Sequence, residues 1–429
     1  MKVLSLPQVA ISAVKSLRRG VYPLLARVYR HMLGGVCFVG VTGSCGKTST
    51  KELAAAVLSA KGEGLLGIQI FNQTVDIART ILSVRPSHSF CIEEIGASAP
   101  GQIAISSSIF RPRIAAVTLI GFDHLKAYRS LEAIAEEKVG LVEALPADGT
   151  AVLNADDPLV WAMREKTEAR VIGFGLSPEA TVRGEDIRAD WPERLSLTVV
   201  YGDERHRVQT QLLGDTAVGA VLGALAIGLA QGIPLAEGVR RLESVEPVFA
   251  RKSPHTTANG VTFINDACKA PYYTLPATLD FMRRAQAKRK VMIFGSFSDY
   301  AGSASSKYRK IAREALEIAD KVIFHCPMNG SVMKLAKTVE DGRLMTFDTS
   351  YELNQYLHQA LEPGDLVMVK SGLRDHHERL IMDRVPLHGT FLGRHTEIQE
   401  IKCWRERCGL GKPCLFCDKR DEDVVPLPS

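Results

Sequence analysis

The segment from Gly40 to Ser49 constrains the fold of this chain more than any other part of the sequence. It reads Gly-Val-Thr-Gly-Ser-Cys-Gly-Lys-Thr-Ser, follows the apolar run Val36–Val41 and precedes a helical pattern over residues 47–60. A glycine-rich turn between a buried strand and a helix N-terminus is typical of phosphate binding, because backbone N–H groups point at the anion. We expect Lys47 to neutralise phosphate charge from the solvent side of the loop, and Thr48 to offer its hydroxyl to Mg²⁺.

The strict phosphate-loop pattern G-x4-G-K-[ST] is not met, because Val41 stands where that pattern has its first glycine. A fortuitous glycine-rich turn is therefore the alternative. The strand before the loop and the helix after it favour phosphate binding. The residues predicted to surround the phosphates of a nucleotide are Thr42, Gly43, Ser44, Cys45, Gly46, Lys47, Thr48 and Ser49.

Strands and helices alternate along the rest of the chain, which predicts an α/β fold. The pattern over residues 182–213 predicts an antiparallel sheet edge, and five short apolar runs between Val261 and Lys370 predict a doubly wound parallel sheet. We therefore expect a central ATPase-type domain with a mostly parallel sheet, a Rossmann-like C-terminal α/β domain and a short four-cysteine tail. The predicted segments are a basic N-terminal extension at 1–35, the two domains at 36–245 and 246–394, and the tail at 395–429.

Two side chains stand out beyond the loop. Glu94 ends an apolar strand at a glycine turn, which is where an open α/β sheet places functional groups, although a surface carboxylate is the alternative. Lys138 lies four residues from both Ile134 and Val142, on the apolar stripe of a helix predicted over Ser130–Leu145. A charged amine on a buried face is costly unless it is paired, so Lys138 is either an ion-paired or snorkelling lysine or a chemically special one.

These motifs, in this order, resemble the Mur ligase family of ATP-dependent carboxylate–amine ligases. The resemblance runs over about residues 38–380 and rests on the loop Thr42–Ser49, on Glu94–Gly101, on Phe122–Leu125, on Asn154–Pro158 and on Ile264–Pro271. It implies catalytic roles for Lys47, Glu94, His124 and Lys138. It implies Mg²⁺ ligands at Thr48, Glu94, His124 and a carbamylated Lys138.

Further roles follow from the same resemblance. Nucleotide contacts are implied at Arg251, Asp266 and Lys269, and substrate contacts at Asn72, Lys370, Ser371, Arg374 and His376. The reaction implied is amide-bond formation between a carboxylate and an amine, driven by ATP and passing through an acyl phosphate. The small-molecule acid and amine are the expected partners.

The chain also departs from the family. Gly219 stands where relatives have an adenine-contacting Asn, and the phosphate loop begins about forty residues from Met1, without room for the domain that binds a UDP-sugar. We therefore expect an acid substrate other than a UDP-muramyl peptide. A non-catalytic nucleotide-binding partner subunit is the alternative function, which the altered motifs would fit. The chain retains residues that disfavour this alternative, namely Lys47, Thr48, Glu94, His124 and Lys138.

The tail contains Cys403, Cys408, Cys414 and Cys417, four thiols within fifteen residues. This spacing predicts one structural Zn²⁺, with an iron–sulfur cluster or a thiol-rich tail without a metal as alternatives. The total of nine cysteines is odd, which is typical of a reducing compartment, and we expect a cytoplasmic protein.

Residues 1–35 contain six basic and no acidic side chains among apolar ones. They predict a helical extension packed on the body of the protein or a basic amphipathic helix at a membrane surface. The net charge of the whole chain, 53 − 48 = +5, is too small to indicate nucleic-acid binding, and the oligomeric state is left open.

Overall fold

The computed structural model describes residues 20–67, 73–124, 127–339, 341–385, 387–391 and 394–398. The fold is α/β, with two mostly parallel sheets that follow each other along the chain, as the alternation of strands and helices predicts. Within the N-terminal segment 1–35, residues 20–30 form a helix that precedes the first sheet, which we call α1.

The first sheet has nine strands in the order β2-β3-β1-β4-β5-β6-β7-β8-β9. Neighbours from β2 to β7 are parallel, whereas β7, β8 and β9 form the antiparallel edge that the alternating pattern predicts. The strands are β1 Cys37–Thr42, β2 Gly64–Leu66, β3 Phe90–Glu94, β4 Ile114–Val117, β5 Thr150–Asn154, β6 Arg170–Gly175, β7 Val182–Arg188, β8 Ser196–Tyr201 and β9 Glu204–Gln209.

Helices cover both faces of this sheet. One face packs against α2, α7 and α8, and the other against α1, α3, α4 and α5. Helix α7 is apolar throughout and buried, and no helix in the described ranges is long and apolar enough to cross a membrane. The helices are α2 Lys47–Leu58, α3 Thr74–Ser83, α4 Gln102–Phe110, α5 Leu131–Glu143, α6 Pro158–Trp161, α7 Val218–Ala230 and α8 Leu235–Leu242.

Helix α5 begins where the sequence predicts. Ser130 has an extended backbone, and its hydroxyl accepts a hydrogen bond from the Ala133 N–H at 3.1 Å. A cap of this kind stabilises a helix by about 1 kcal/mol. It fixes the first turn of α5, and with it the register that turns Lys138 towards the sheet.

The second sheet has six strands in the order β10-β11-β15-β12-β13-β14, all parallel to their neighbours except β10. These are β10 Ser253–Thr256, β11 Thr262–Asp266, β12 Arg289–Phe294, β13 Lys321–Phe324, β14 Leu344–Thr346 and β15 Asp365–Lys370. Its helices are α9 Leu275–Arg284, α10 Ala304–Leu316, α11 Asn329–Ala336, α12 Ser350–Ala360 and α13 Glu378–Met382.

A two-stranded antiparallel hairpin follows, formed by β16 Leu387–Phe391 and β17 Arg394–Ile398. The segment boundary predicted at 394/395 falls at the start of β17. The hairpin therefore ends at Ile398, four residues beyond that boundary.

Candidate active site

The phosphate loop connects β1 to α2 with a backbone that needs its glycines. Gly43 has φ 139° and Gly46, the N-cap of α2, has φ 85°. A Cβ at Gly43 would lie 1.9 Å from Oγ1 of Thr118, which itself donates to the Cys45 carbonyl at 2.6 Å. Thr118 follows β4, so the neighbouring strand braces the loop from beneath. The N-terminus of α2 is thus left facing the carboxyl edge of the sheet, with its N–H groups available to an anion.

Lys47 lies inside the loop rather than on its solvent side. Its side chain is buried, and its ammonium donates to the Gly43 carbonyl at 2.5 Å and approaches the Ser44 carbonyl at 3.5 Å. Burial lowers the pKa of Lys47, and the nearby Lys269 lowers that pKa further. The expectation of a solvent-facing amine was therefore wrong, because the side chain curls back over its own loop.

Glu94 ends β3 next to the start of α2. Its Oε1 is buried without a hydrogen bond in the described part of the chain, and it lies 3.7 Å from the buried Lys51 ammonium. Lys51 also donates to the Gly67 carbonyl at 2.6 Å, so its charge is shared. Carboxylate and hydroxyl oxygens are the ligands that Mg²⁺ prefers, and Glu94 with the buried Thr48 fits that preference.

The neighbouring Glu93 behaves differently from Glu94. It is fully buried, and its Oε1 accepts a hydrogen bond from the Glu94 N–H at 2.9 Å. Burial raises the pKa of Glu93 to about 8. Near neutral pH this group therefore holds a proton for much of the time, which suits a hydrogen-bonding support for Glu94 better than a metal ligand.

Lys138 is buried on α5, as its position on the apolar stripe predicts. The pKa of Lys138 is lowered to about 7. Burial is the main cause, Lys47 and Lys269 lower the pKa as well, and the charge of Asp123 opposes them. No hydrogen bond or ion pair to the Lys138 ammonium is present among the described residues. Lys138 therefore shares its surroundings with the phosphate-loop lysine and differs from an ordinary buried ion pair.

His124 reaches the site from the loop after β4. Its backbone is left-handed, with φ 53°, and its N–H donates to Oδ1 of Asp299 at 3.0 Å. The ring is partly exposed, and its Nε2 lies 3.6 Å from the buried Asp123 carboxylate. Through Asp299, His124 thus contacts the part of the chain that belongs to the second sheet.

The second sheet contributes further charges. The Lys370 ammonium forms a buried ion pair with Asp266 at 2.8 Å, across the neighbouring carboxyl ends of β15 and β11. Arg251 is close to Asp266: burial lowers the pKa of Arg251, but Cys268 and Asp266 raise it, and the net shift is upward. Lys269 is exposed and close enough to Lys47 and Lys138 to lower the pKa of each. The predicted nucleotide residues of the second sheet therefore lie around one basic cluster.

The loop after Lys370 holds the predicted substrate residues in different environments. Arg374 is exposed, whereas Ser371 is buried with an unpaired hydroxyl among the described residues. His376 is also buried, with Nδ1 3.4 Å from Oε1 of Glu378. The turn at Leu373–Asp375 directs it inward, because Asp375 is held by the Ser296 N–H at 2.7 Å.

Two residues that the sequence did not single out connect the sheets. The ring of Tyr273 packs so closely on Gly121 that a Cβ there would lie 2.7 Å from its Cε2. Burial and the neighbouring Cys45 and Asp123 raise the pKa of Tyr273, and its hydroxyl makes no hydrogen bond within the described ranges. Asp299 accepts the His124 N–H. Only the position of Tyr273, two residues after the Ile264–Pro271 motif, could have indicated it.

Asn72 and the four tail cysteines, Cys403, Cys408, Cys414 and Cys417, lie outside the described residues. Within the ranges that are described, no group of three or more His, Cys, Asp or Glu side chains could hold a metal ion. Any magnesium bound here would therefore need oxygen ligands from its substrate or from water in addition to Thr48 and Glu94.

Comparisons with known proteins show which family this chain resembles. A model of the Mur ligase middle domain matches residues 41–228, and one described as the Mur ligase, glutamate ligase domain matches residues 251–373. The chain is 30% identical over 363 residues to the UDP-N-acetylmuramoyl-tripeptide–D-alanyl-D-alanine ligase of Mycobacterium tuberculosis, covering 79% of this chain and 71% of the relative. The enzyme of the same name from Synechocystis is 26% identical over 353 residues, covering 80% of this chain and 74% of the relative.

Solved structures show the same fold. MurF from Acinetobacter baumannii superposes with a TM-score of 0.75 at 22% identity, covering 84% of this chain and 79% of that one. MurF from Thermotoga maritima in complex with ADP gives 0.71 at 21% identity, with 84% and 82% covered. The matched domains and the 30% identity show that this chain, with its basic phosphate loop at the junction of two sheets, belongs to the Mur ligase family of ATP-dependent, amide-bond-forming ligases.

Proposed function

We propose that this chain joins a carboxylate to an amine at the junction of its two sheets, with ATP as the energy source and an acyl phosphate as the intermediate. The observation that carries the proposal is the basic cluster around the phosphate loop: Lys47 from the first sheet faces Lys269 from the second, with Arg251 close by. Clustered cations raise one another's electrostatic energy unless an anion joins them. A nucleotide triphosphate is such an anion.

Each residue has a part in the proposed reaction. The N–H groups of the loop and the Lys47 amine bind the phosphates. The acid's carboxylate oxygen attacks the γ-phosphorus, the bond to ADP breaks, and the amine then displaces phosphate from the acyl carbon and loses a proton. Mg²⁺ on Thr48 and Glu94 would neutralise phosphate charge. The protein's work is positioning and charge neutralisation.

We also propose a division of labour between two domains, at residues 36–245 and 246–394. The first holds the phosphate loop, Glu94, His124 and Lys138. The second supplies Arg251, Asp266, Lys269 and the loop after β15, where Arg374 is exposed to meet a substrate. Tyr273 and Asp299 join the two through Gly121 and His124.

The substrates can be identified by a coupled assay. The relatives named above act on a UDP-N-acetylmuramoyl-tripeptide and D-alanyl-D-alanine, and we propose that the amine here is likewise a small peptide or amino acid. Release of phosphate from ATP should require one acid and one amine together. Testing UDP-muramoyl tripeptide beside acids without the UDP-sugar examines our expectation that the acid differs from that of the relatives.

Two outcomes of this assay would count against the proposal. Phosphate release that needs no acid would indicate a simple ATPase. Tight ATP binding without turnover for any acid and amine would favour a non-catalytic partner subunit, the alternative that Gly219 supports, since this position has no amide side chain to contact a nucleobase.

For the tail we propose one structural Zn²⁺ bound by Cys403, Cys408, Cys414 and Cys417. The support is the spacing alone: four thiols close together, including one Cys-x2-Cys pair, suit a tetrahedral site. Elemental analysis of the purified protein should find about one zinc per chain. The double variant Cys414→Ser, Cys417→Ser should lose it, whereas Cys37→Ser and Cys326→Ser should not. Retained zinc in the tail variant would place the ligands elsewhere, and iron instead of zinc would indicate a cluster.

A further inference from the structure

Helix α1 exposes an apolar face that nothing in the described structure covers. The face consists of Val21, Leu24, Leu25 and Val28 on α1 and Met32 in the turn that follows it, and we call it the outer face of α1. Their side chains are 38–72% exposed. The spacing of three, four and seven residues places the first four on one side of the helix. Exposed apolar residues are ordinary when scattered, but a row of them along one helix indicates an interaction surface.

The opposite side of α1 is firmly attached to the protein. Ala26 and Leu33 are buried in the core that includes Phe38. The Arg30 guanidinium stacks on the Phe38 ring at 3.6 Å from its centroid and donates to the Phe110 carbonyl at 2.8 Å. Because these contacts fix the rotation of α1 about its own axis, the outer face is held away from the core.

The surroundings of the outer face are positively charged. Arg27 is exposed on α1 and donates to the Ser108 hydroxyl at 3.0 Å, and Arg111 lies 2.9 Å from the His31 ring. In the sequence, the segment before α1 contains Lys2, Lys15, Arg18 and Arg19, which lie outside the described residues, and residues 1–35 contain no acidic side chain. Ile105, one turn before Ser108 on α4, is a further exposed apolar side chain beside this edge.

We propose that the outer face of α1 docks on the surface of an anionic lipid bilayer. A second copy of the chain would bring one basic edge against another, which is unfavourable unless an anion intervenes. An anionic bilayer offers both chemistries at once: an apolar interior for Leu24, Val28 and Met32, and negative headgroups for the arginines. The site so formed is separate from the phosphate loop. It would hold the enzyme against a membrane without using any residue of the proposed reaction.

The test is co-sedimentation of the full-length protein with lipid vesicles. Vesicles of phosphatidylcholine containing about 25% phosphatidylglycerol should pellet the protein, and pure phosphatidylcholine should pellet much less. The triple variant Leu24→Gln, Val28→Gln, Met32→Gln should lower the partition coefficient about tenfold. These side chains are exposed, so the fold should tolerate the change. The matched control, Met333→Gln with Tyr351→Gln, alters exposed apolar residues of the second sheet's helices and should bind like the wild type.

The outcomes separate the possible occupants. Binding that salt weakens and the triple variant loses, with ATP turnover unchanged, supports the proposal. Equal binding of the triple variant, equal binding to neutral vesicles, or no binding at all would overturn it. So would a dimer, measured by light scattering, that the triple variant dissociates without any vesicle binding, because a second copy would then cover the outer face. The vesicle-binding and light-scattering results do not depend on the proposed reaction.

Discussion

Lys47→Ala is expected to abolish ATP turnover, with a loss of about a thousandfold or more, while the protein stays folded. The physical reason is that Lys47 is the cation placed inside the phosphate loop, at the N-terminus of α2. The substitution leaves the N–H groups of the loop in place. It removes the ammonium that neutralises the negative charge of the phosphates during the reaction. The measurement is phosphate release under saturating acid, amine and ATP.

Burial of Lys47 makes a stability control necessary. Its ammonium donates to the Gly43 carbonyl, so truncation removes one hydrogen bond and a buried alkyl chain. The same truncation also removes the cost of burying the Lys47 ammonium, the cost that lowers its pKa. The two effects oppose each other, so the net change in the free energy of unfolding should be small. Lys61→Ala, at an exposed position just after α2, is the matched control and should keep full turnover. Unchanged turnover in Lys47→Ala would remove ATP from the proposed function.

The fold could be predicted well wherever a local pattern dictates it. Short apolar runs between turn residues identified every strand of the second sheet except β10, because a strand buried on both faces is almost continuously apolar. The same reasoning missed α4. Its Ser106-Ser107-Ser108 run is unfavourable for an isolated helix, and here tertiary packing outweighs that propensity, since Ser106 and Ser107 are buried.

The site was predictable in its local parts and not in its long-range ones. The loop from Thr42 to Ser49 and the burial of Lys138 follow from a turn motif and a helical stripe. The contacts of Tyr273 with Gly121 and of Asp299 with His124 join residues more than 150 positions apart, and no local pattern encodes them. The burial of Lys47 depends on how its flexible side chain folds back, which a motif does not specify.

The second large effect concerns Lys138. We expect activity to fall on rigorous removal of CO2 and to return with bicarbonate, because the amine is proposed to be carbamylated. In that step the neutral amine nitrogen bonds to the carbon of CO2 and releases one proton, giving an anionic oxygen ligand. Burial lowers the pKa of Lys138 to about 7, so the neutral form dominates above pH 7. The sign is clear: carbamylation, and the activity that depends on it, should rise as pH increases through 7.

Lys138→Ala should lower turnover at least a hundredfold while the loop still binds ATP, since Lys47 and Thr48 are untouched. A small carboxylate such as acetate should restore part of the activity by supplying the missing oxygens in the space left on α5. The matched control is Lys166→Ala, which removes an exposed lysine of the same domain and should respond to neither CO2 nor acetate.

The discriminating observation is the charge at residue 138. A carbamate makes this position anionic next to Lys47 and Lys269, and so turns a mutual repulsion of three amines into an attraction. The alternative is an unmodified lysine whose charge is lost by deprotonation alone. Mass spectrometry under native conditions, or ¹³C NMR with labelled bicarbonate, distinguishes the two. Full activity of Lys138→Ala together with an unmodified amine would leave only Thr48 and Glu94 as metal ligands from this sheet, and Lys138 would be a neutral packing residue of α5.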